Sequence, residues 1–387
     1  MMKTDYKASL RQLRRYVEKE NYRGWDPFDG LNSKVFRSLP LLKKNKWARL
    51  AWLQFFKRSP LNLRPLMLVP KKENPKGLAL FILGYARLYR HSPDKAIKEK
   101  IENLSRRLIA LQSKGYAGAG WGYPFDWQAR AFFQPAYTPM AVSTAYAVEA
   151  LLEAARILNE DHLRQTAVSA AAFIRHDLHR TYDADGDFIF SYSPLDRSQI
   201  YNAGLLAAKT LVMIWKETGD NALLEDALKV YRYVAKRQNT DGSWTYGTLP
   251  HHQWIDNFHT GYNLETYSVM RNLTGSDTFD RVIEKGMDFY LRHFWTEEGI
   301  PKYYRNRIWP VDMHNPAQLA VTLSKANLLH KHKTLAEKVW QWSIRHMQAP
   351  DGRFYYQKKR YYTNKIPYMR WTQAWVFYGL SVLATEL

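Results

Sequence analysis

Three observations predict an all-α protein built as an (α/α)6 toroid, a double ring of helices with long loops gathered at one end. The first is a recurring turn: Gln238-Asn239-Thr240-Asp241-Gly242-Ser243-Trp244 returns as Asp185-Gly186-Asp187-Phe188, Glu298-Gly299-Ile300-Pro301-Lys302-Tyr303 and Asp351-Gly352-Arg353-Phe354-Tyr355. Their glycines stand 56, 57 and 53 residues apart (186 to 242, 242 to 299, 299 to 352), a period that marks a supersecondary unit repeated in space. The second is an alternation between these turns of mostly apolar helices with amphipathic ones, as an enclosed layer and a solvent-facing layer require. The third is a count, because looser turns at Gly24 to Gly30 and Gly120 to Asp126 bring the loops to six.

In chain order, residues 5–21 read as an amphipathic helix with Leu10, Leu13 and Val17 on one stripe. The interval from Pro27 to Pro124 exceeds one period, so residues 31–74, punctuated by Pro60, Pro65 and Pro70, are expected to be an insertion within a single domain spanning 1–387. Inner helices are expected at 76–91, 139–157, 198–216, 260–274, 315–329 and 368–385, and outer ones at 94–113, 160–177, 220–238, 277–295 and 332–348. Six inner helices face only five outer ones. The sixth outer helix must be 5–21, packed antiparallel to 368–385, since it precedes the first loop as every outer helix precedes its own.

Composition bounds the chemistry. Lys and Arg exceed Asp and Glu by 21 (57 minus 36), which points to an anionic partner: an acidic glycan, a lipid-linked sugar, or an anionic membrane surface as a peripheral site. Nucleic acid is disfavoured, because Lys43-Lys44-Asn45-Lys46 and Lys358-Lys359-Arg360 come with no recognised nucleic-acid fold. Without cysteine there are no disulfides and no thiolate metal site, which fits a cytoplasmic place. No His-x-x-x-His pair occurs, and the glycines from Gly115 to Gly122 are not followed by Lys-Ser or Lys-Thr, so no metal or other cofactor is expected. The 14 Trp and 26 Tyr exceed what a plain bundle needs and suit either a wide core or a funnel that stacks on sugar rings.

In such a ring the first turns of the inner helices point into one funnel. Polar residues cluster at these starts: Asp256, His259, Tyr262, Asn263 and Glu265 at one, Asp312, His314 and Gln318 at the next, Asn202 at a third, and Arg370 with Trp371 at the last. Asp26, Asp29, Asp126 and Arg130 add a charged rim, and Trp25, Trp121, Trp127 and Trp244 offer stacking faces. Asp256 and Asp312 read equally well as helix caps, and Asp26 and Asp29 as turn formers. Glu265 lies more than a turn into an enclosed helix and so needs a cationic partner or a catalytic reason. Two catalytic sets stay open. His259, Tyr262 and His314 with Arg370 would serve proton abstraction beside a sugar carboxylate, whereas Asp126 with Glu265 would serve a two-carboxylate hydrolase.

The Gln-x-x-x-Gly-x-Trp spacing of Gln238, Gly242 and Trp244 resembles the repeat of terpenoid cyclase and protein prenyltransferase toroids, and similar rings occur in glycoside hydrolases, polysaccharide lyases and uronyl epimerases. The stretches Trp25 to Ser33, Trp121 to Gln128 and Asp256 to Glu265 are similar to bacterial proteins encoded with capsule and exopolysaccharide genes. The chain lacks the Asp-x-Asp-Asp acid motif of triterpene cyclases and the cysteine of the prenyltransferase zinc set. The resemblance therefore implies a carbohydrate-active protein of capsule or exopolysaccharide metabolism with lyase, hydrolase or epimerase chemistry. A non-catalytic glycan-binding or scaffold protein is the second expectation, and an isoprenoid-processing toroid the third.

Overall fold

The computed structural model describes residues 5–130 and 132–387. The chain opens with α1 (Tyr6–Lys19), followed by the short helices α2 (Lys34–Arg37) and α3 (Pro40–Lys44) and the longer α4 (Lys46–Arg58). Eleven more follow: α5 (Pro75–His91), α6 (Lys95–Ala110), α7 (Ala141–Leu158), α8 (Asp161–Ala172), α9 (Tyr201–Thr218), α10 (Asn221–Ala235), α11 (Asn257–Thr274), α12 (Asp280–His293), α13 (His314–Lys325), α14 (Lys333–Met347) and α15 (Trp375–Glu386). The last is entered through a π-helical stretch, Met369–Ala374. Short strands decorate the loops: β1 (Trp127–Gln128) pairs with β2 (Phe133–Gln134), β3 (Arg180–Tyr182) with β4 (Phe188–Phe190), and β5 (Val311–Asp312), β6 (Gln357–Lys358) and β7 (Thr363–Asn364) form one antiparallel sheet.

The fold is an (α/α)6 toroid. Helices α5, α7, α9, α11, α13 and α15 each touch the next, and α15 returns to α5, so the inner ring is closed. Their sequences explain the layer: α7 and α9 are buried through most of their length, as helices without a polar stripe must be, whereas α6, α10 and α12 bury one face only.

Closure through the amino-terminal helix is seen at one repeated joint. Gln238 Nε2 donates to the carbonyls of Gly242 and Val282, tying its turn to outer helix α12, and Gln348 Nε2 donates to the carbonyls of Gly352 and Ser9, tying the equivalent turn to α1. Gly242 and Gly352 adopt φ of 88° and 90°. A Cβ at either would stand 2.2 Å from the Lys285 carbonyl oxygen or 2.4 Å from that of Gln12, so only glycine fits the left-handed turn and the close approach together. Helix α1 thus occupies the sixth outer position. It packs on α15, and the chain leaving it places the Trp25 carbonyl on the Met369 amide at the start of the last inner segment, so the two run antiparallel.

Residues 31–74 fold as α2 to α4 and a proline-rich return. Leu31, Phe36 and Leu53 form a small separate core with Trp52, Trp127 and Phe133, seating α4 on the β1–β2 loop. No helix among the described residues is long and apolar enough to cross a membrane.

Candidate active site

Every inner helix brings a residue from its amino-terminal turns to one cavity of about 260 Å³: Lys76 from α5, Val142 from α7, Asn202 from α9, His259 and Tyr262 from α11, His314 from α13, and Arg370 and Trp371 from the π-helical entry to α15. Six helix amino termini, each with a partial positive charge, converge there. Loop aromatics complete the walls, with Tyr123, Trp127 and Tyr192 on one side and Tyr246, Trp254, Tyr303 and Tyr304 on another. Among the described residues, no Asp or Glu lines this cavity.

The carboxylates stand behind the lining side chains and orient them. Asp256 is the N-cap of α11, accepting from the His259 amide at 3.0 Å, and the same carboxylate holds His259 Nδ1 at 2.9 and 3.0 Å. That pairing places the proton on Nδ1 and leaves Nε2 as the basic nitrogen. Tyr246 and Trp254, stacked at 4.3 Å, both lie against the His259 ring. Asp26 grips the Arg370 guanidinium through two bonds of 2.6 and 2.8 Å, and that guanidinium lies over the Tyr123 ring. Asp312 accepts from the His314 amide, from Gln357 at 2.5 Å and from the Trp371 indole at 3.2 Å, while burial pushes its pKa up to about 6.

At the cavity floor Tyr262 Oη accepts from Lys76 Nζ at 3.1 Å and lies 2.6 Å from His314 Nε2. The bond to His314 can carry its proton on either atom, as the His314 tautomer decides, and His314 Nδ1 has no partner among the described residues. Burial holds His314 well below the usual histidine range, and the nitrogens of Lys76, Arg370 and His259 around it oppose a further positive charge there. Burial and the nearby Arg370 lower Lys76 well below the usual lysine range, with Glu265 opposing. Burial also raises Tyr262 well above the usual phenol range, so it stays protonated. The Lys76 Nζ is enclosed by the rings of Tyr146, Tyr262 and Trp375.

Of the residues singled out in the sequence, His259, Tyr262, His314, Trp127, Asn202, Arg370 and Trp371 meet at this cavity. Others lie elsewhere, each for a physical reason. Glu265 is buried one layer deeper in an ion pair with Lys209 at 2.8 Å and accepts from Gln318 at 2.9 Å, so both are committed within the ring. Asn263 is buried outside the cavity lining. Asp126 accepts from the Ala136 amide and shapes the β1–β2 loop, so the pair of Asp126 with Glu265 is not assembled. Asp29 is paired with buried Arg64 at 2.7 Å, and Arg130 is exposed outside the lining. Trp121 and Trp244 are buried and donate their indoles to the Leu108 and Val234 carbonyls of outer helices, whereas half-buried Trp25 donates to the Val69 carbonyl and lies outside this cavity.

Lys76 and Lys57 were missed. Lys76 carried no signal beyond its place after Pro75 at a helix start. The partner of Glu265 did carry one: Glu149, Lys209 and Glu265 recur about one repeat apart, as charges meeting across adjacent inner helices would.

No family model matches the chain, and no curated protein matches its sequence. Solved structures do match its fold. Cellobiose 2-epimerase from Bacillus thermoamylovorans superposes with a TM-score of 0.65 at 11% identity, covering 82% of this chain and 90% of that one. An unsaturated glucuronyl hydrolase specific for heparin gives 0.63 at 14% identity, covering 98% and 95%. A family 76 α-mannanase from Bacteroides thetaiotaomicron gives 0.60 at 10% identity, covering 81% and 86%. At these identities the likeness is one of fold, and the chain shares the (α/α)6 toroid of these sugar-active proteins.

Proposed function

We propose that the protein is a sugar-processing enzyme that moves a proton at a carbon next to a carbonyl or carboxylate, in the manner of an epimerase, isomerase or lyase, on an anionic mono- or disaccharide. The observation that carries this reading is the composition of the cavity: two histidines, a tyrosine, two lysines and an arginine line it, and no described carboxylate does. A two-carboxylate hydrolase needs both acids in reach of the scissile bond. The Arg370 guanidinium and the converging helix termini favour a negatively charged sugar and the enolate-like charge that forms when its α-proton leaves.

Each residue then has a task. His259, turned by the Asp256 carboxylate on Nδ1 so that Nε2 is free, takes the proton from carbon. Arg370, fixed by Asp26, faces the charge that develops. Tyr262, which stays protonated and is held by neutral His314 at 2.6 Å, is placed to donate a proton or hydrogen bond to the substrate. The aromatic walls stack on the sugar face and exclude water. The cavity, just below the roughly 300–1,000 Å³ usual for ligand sites, suits a small saccharide. A place in capsule or exopolysaccharide metabolism, and a lipid-linked form of the sugar, rest on the sequence resemblance and the charge.

A panel of uronate-containing and neutral saccharides incubated in deuterated water and followed by NMR tests the reading. Deuterium at the carbon beside the carbonyl or carboxylate, or an unsaturated product, supports it. Saccharide binding with neither exchange nor product would support a glycan-binding protein instead.

A further inference from the structure

Residues 31–74 carry eleven Lys or Arg and one acid, Glu73, so 10 of the chain's 21 net positive charges (11 minus 1) sit in 44 residues. The same segment holds eight of the thirteen large apolar side chains exposed among the described residues. Leu41 is 86% exposed, Trp47 74%, Leu66 70% and Leu61 68%. Isolated exposed apolar residues are ordinary on a soluble protein, but these are concentrated in one segment and interleaved with exposed Lys43, Lys44 and Lys46. Helix α4 has already turned Leu53 and Phe56 inward, so Trp47 and Phe55 are left outside by its own packing.

A second element joins this face. Asn364 Nδ2 donates to the Ser59 carbonyl at 3.2 Å, placing the β6–β7 hairpin beside the end of α4. The hairpin tip carries Lys358, Lys359 and Arg360 next to Tyr361, which is 85% exposed.

We infer that this face docks on the surface of an anionic phospholipid bilayer. Exposed Leu and Trp among Lys and Arg is the composition that seats a protein at the headgroup boundary, where apolar burial and attraction to anionic lipid act together. Charge disfavours the simplest alternative, since a two-fold pairing of identical copies would set one strongly basic face against another. The cavity lies alongside: Lys57 of α4 lines it and stands 4.6 Å over Phe28, another wall residue. Docking would hold a wall of the cavity, through Lys57 of α4, near the membrane surface, where a lipid-linked anionic sugar would be presented. The docking itself does not depend on the chemistry proposed above.

Flotation of the full chain with phosphatidylcholine vesicles, with and without phosphatidylglycerol, tests the inference. Binding is expected on the anionic vesicles, about tenfold or more weaker without phosphatidylglycerol, and falling with added salt. The variant Leu41→Ser, Leu42→Ser, Trp47→Ser should lose about tenfold or more in binding at an unchanged Tm, because these side chains already face water. Lys95→Glu with Lys98→Glu, exposed on α6, should change binding by no more than about twofold. His259→Asn should bind vesicles normally, which separates this inference from the catalytic reading. It is overturned by absent binding to the anionic vesicles, by an equal loss in the α6 variant, or by light scattering that shows a dimer dissolved by the triple variant. Capture by an acidic protein with no vesicle binding overturns it as well.

Discussion

Tyr262 Oη stands between two nitrogens, accepting from Lys76 Nζ at 3.1 Å and lying 2.6 Å from His314 Nε2, so one hydroxyl couples α5, α11 and α13 at the cavity floor. Tyr262→Phe keeps the ring packing and removes the coupling. Turnover should fall by roughly 10²–10⁴ if the hydroxyl takes part in proton transfer. Stability should fall by about 1–3 kcal/mol, because a buried donor on Lys76 loses its acceptor. Steady-state kinetics beside thermal melts check this, and turnover within about twofold of the unmodified protein would remove Tyr262 from the chemistry.

Asp256→Asn separates two roles of one side chain. Asparagine caps a helix about as well as aspartate, so the start of α11 and the Tm should hold. What is lost is the carboxylate that fixes the proton on His259 Nδ1, and kcat should drop by roughly 10²-fold or more, with KM nearly unchanged. A fall in Tm with unaltered kcat would make Asp256 a cap only.

Lys76 gives a pH prediction. Its amine is held well below the usual lysine range by burial and by Arg370, so the folded protein resists protonation that the unfolded chain accepts. A depressed folded pKa contributes stability that is present above the unfolded value of about 10.4 and lost as pH falls toward the folded one. Lys76→Met, which fills the ring of Tyr146, Tyr262 and Trp375 without a charge, escapes that loss. It should melt at or above the unmodified protein near pH 7, with a margin that narrows toward pH 10, while activity falls. A lower Tm for Lys76→Met at every pH would show that the amine is a structural cation.

Ring closure is tested by two glycines with the same backbone and different neighbours. Gly186 adopts φ of 78° with no atom near its absent Cβ, whereas Gly352 adopts 90° with the Gln12 carbonyl oxygen 2.4 Å away. Gly186→Ala should cost about 1 kcal/mol for the left-handed backbone alone. Gly352→Ala should cost a few kcal/mol more, in the range of strongly destabilising substitutions, because α1 must also move. Equal losses in chemical denaturation would mean that the α1 joint carries no strain.

Much of the ring was legible because its signal is periodic: an Asp-Gly turn, a buried helix, an amphipathic helix, repeated until α1 had to supply the missing partner. The starts of α11 and α13 were legible for the same reason, which brought His259 and His314 into view. Partnership across helices was not. Glu265 looks catalytic in a single sequence because Lys209, which neutralises it, lies 56 residues away and becomes adjacent only in the ring. Trp121 and Trp244 look like stacking faces until their indoles are seen to bond the backbone of outer helices. The loop tyrosines that line the cavity were hidden among 26 tyrosines with no spacing to distinguish them.

His259, oriented by Asp256, is the group proposed to remove a proton from a sugar carbon. The direct measurement is deuterium incorporation from solvent into a bound uronate-containing saccharide by the unmodified protein and by His259→Asn, with saccharide binding measured on both. Exchange is expected in the unmodified protein, with a loss of roughly 10²–10⁴ in its rate for the variant and affinity within about tenfold. Exchange at an undiminished rate in His259→Asn, or none in the unmodified protein while the saccharide is bound, would contradict it.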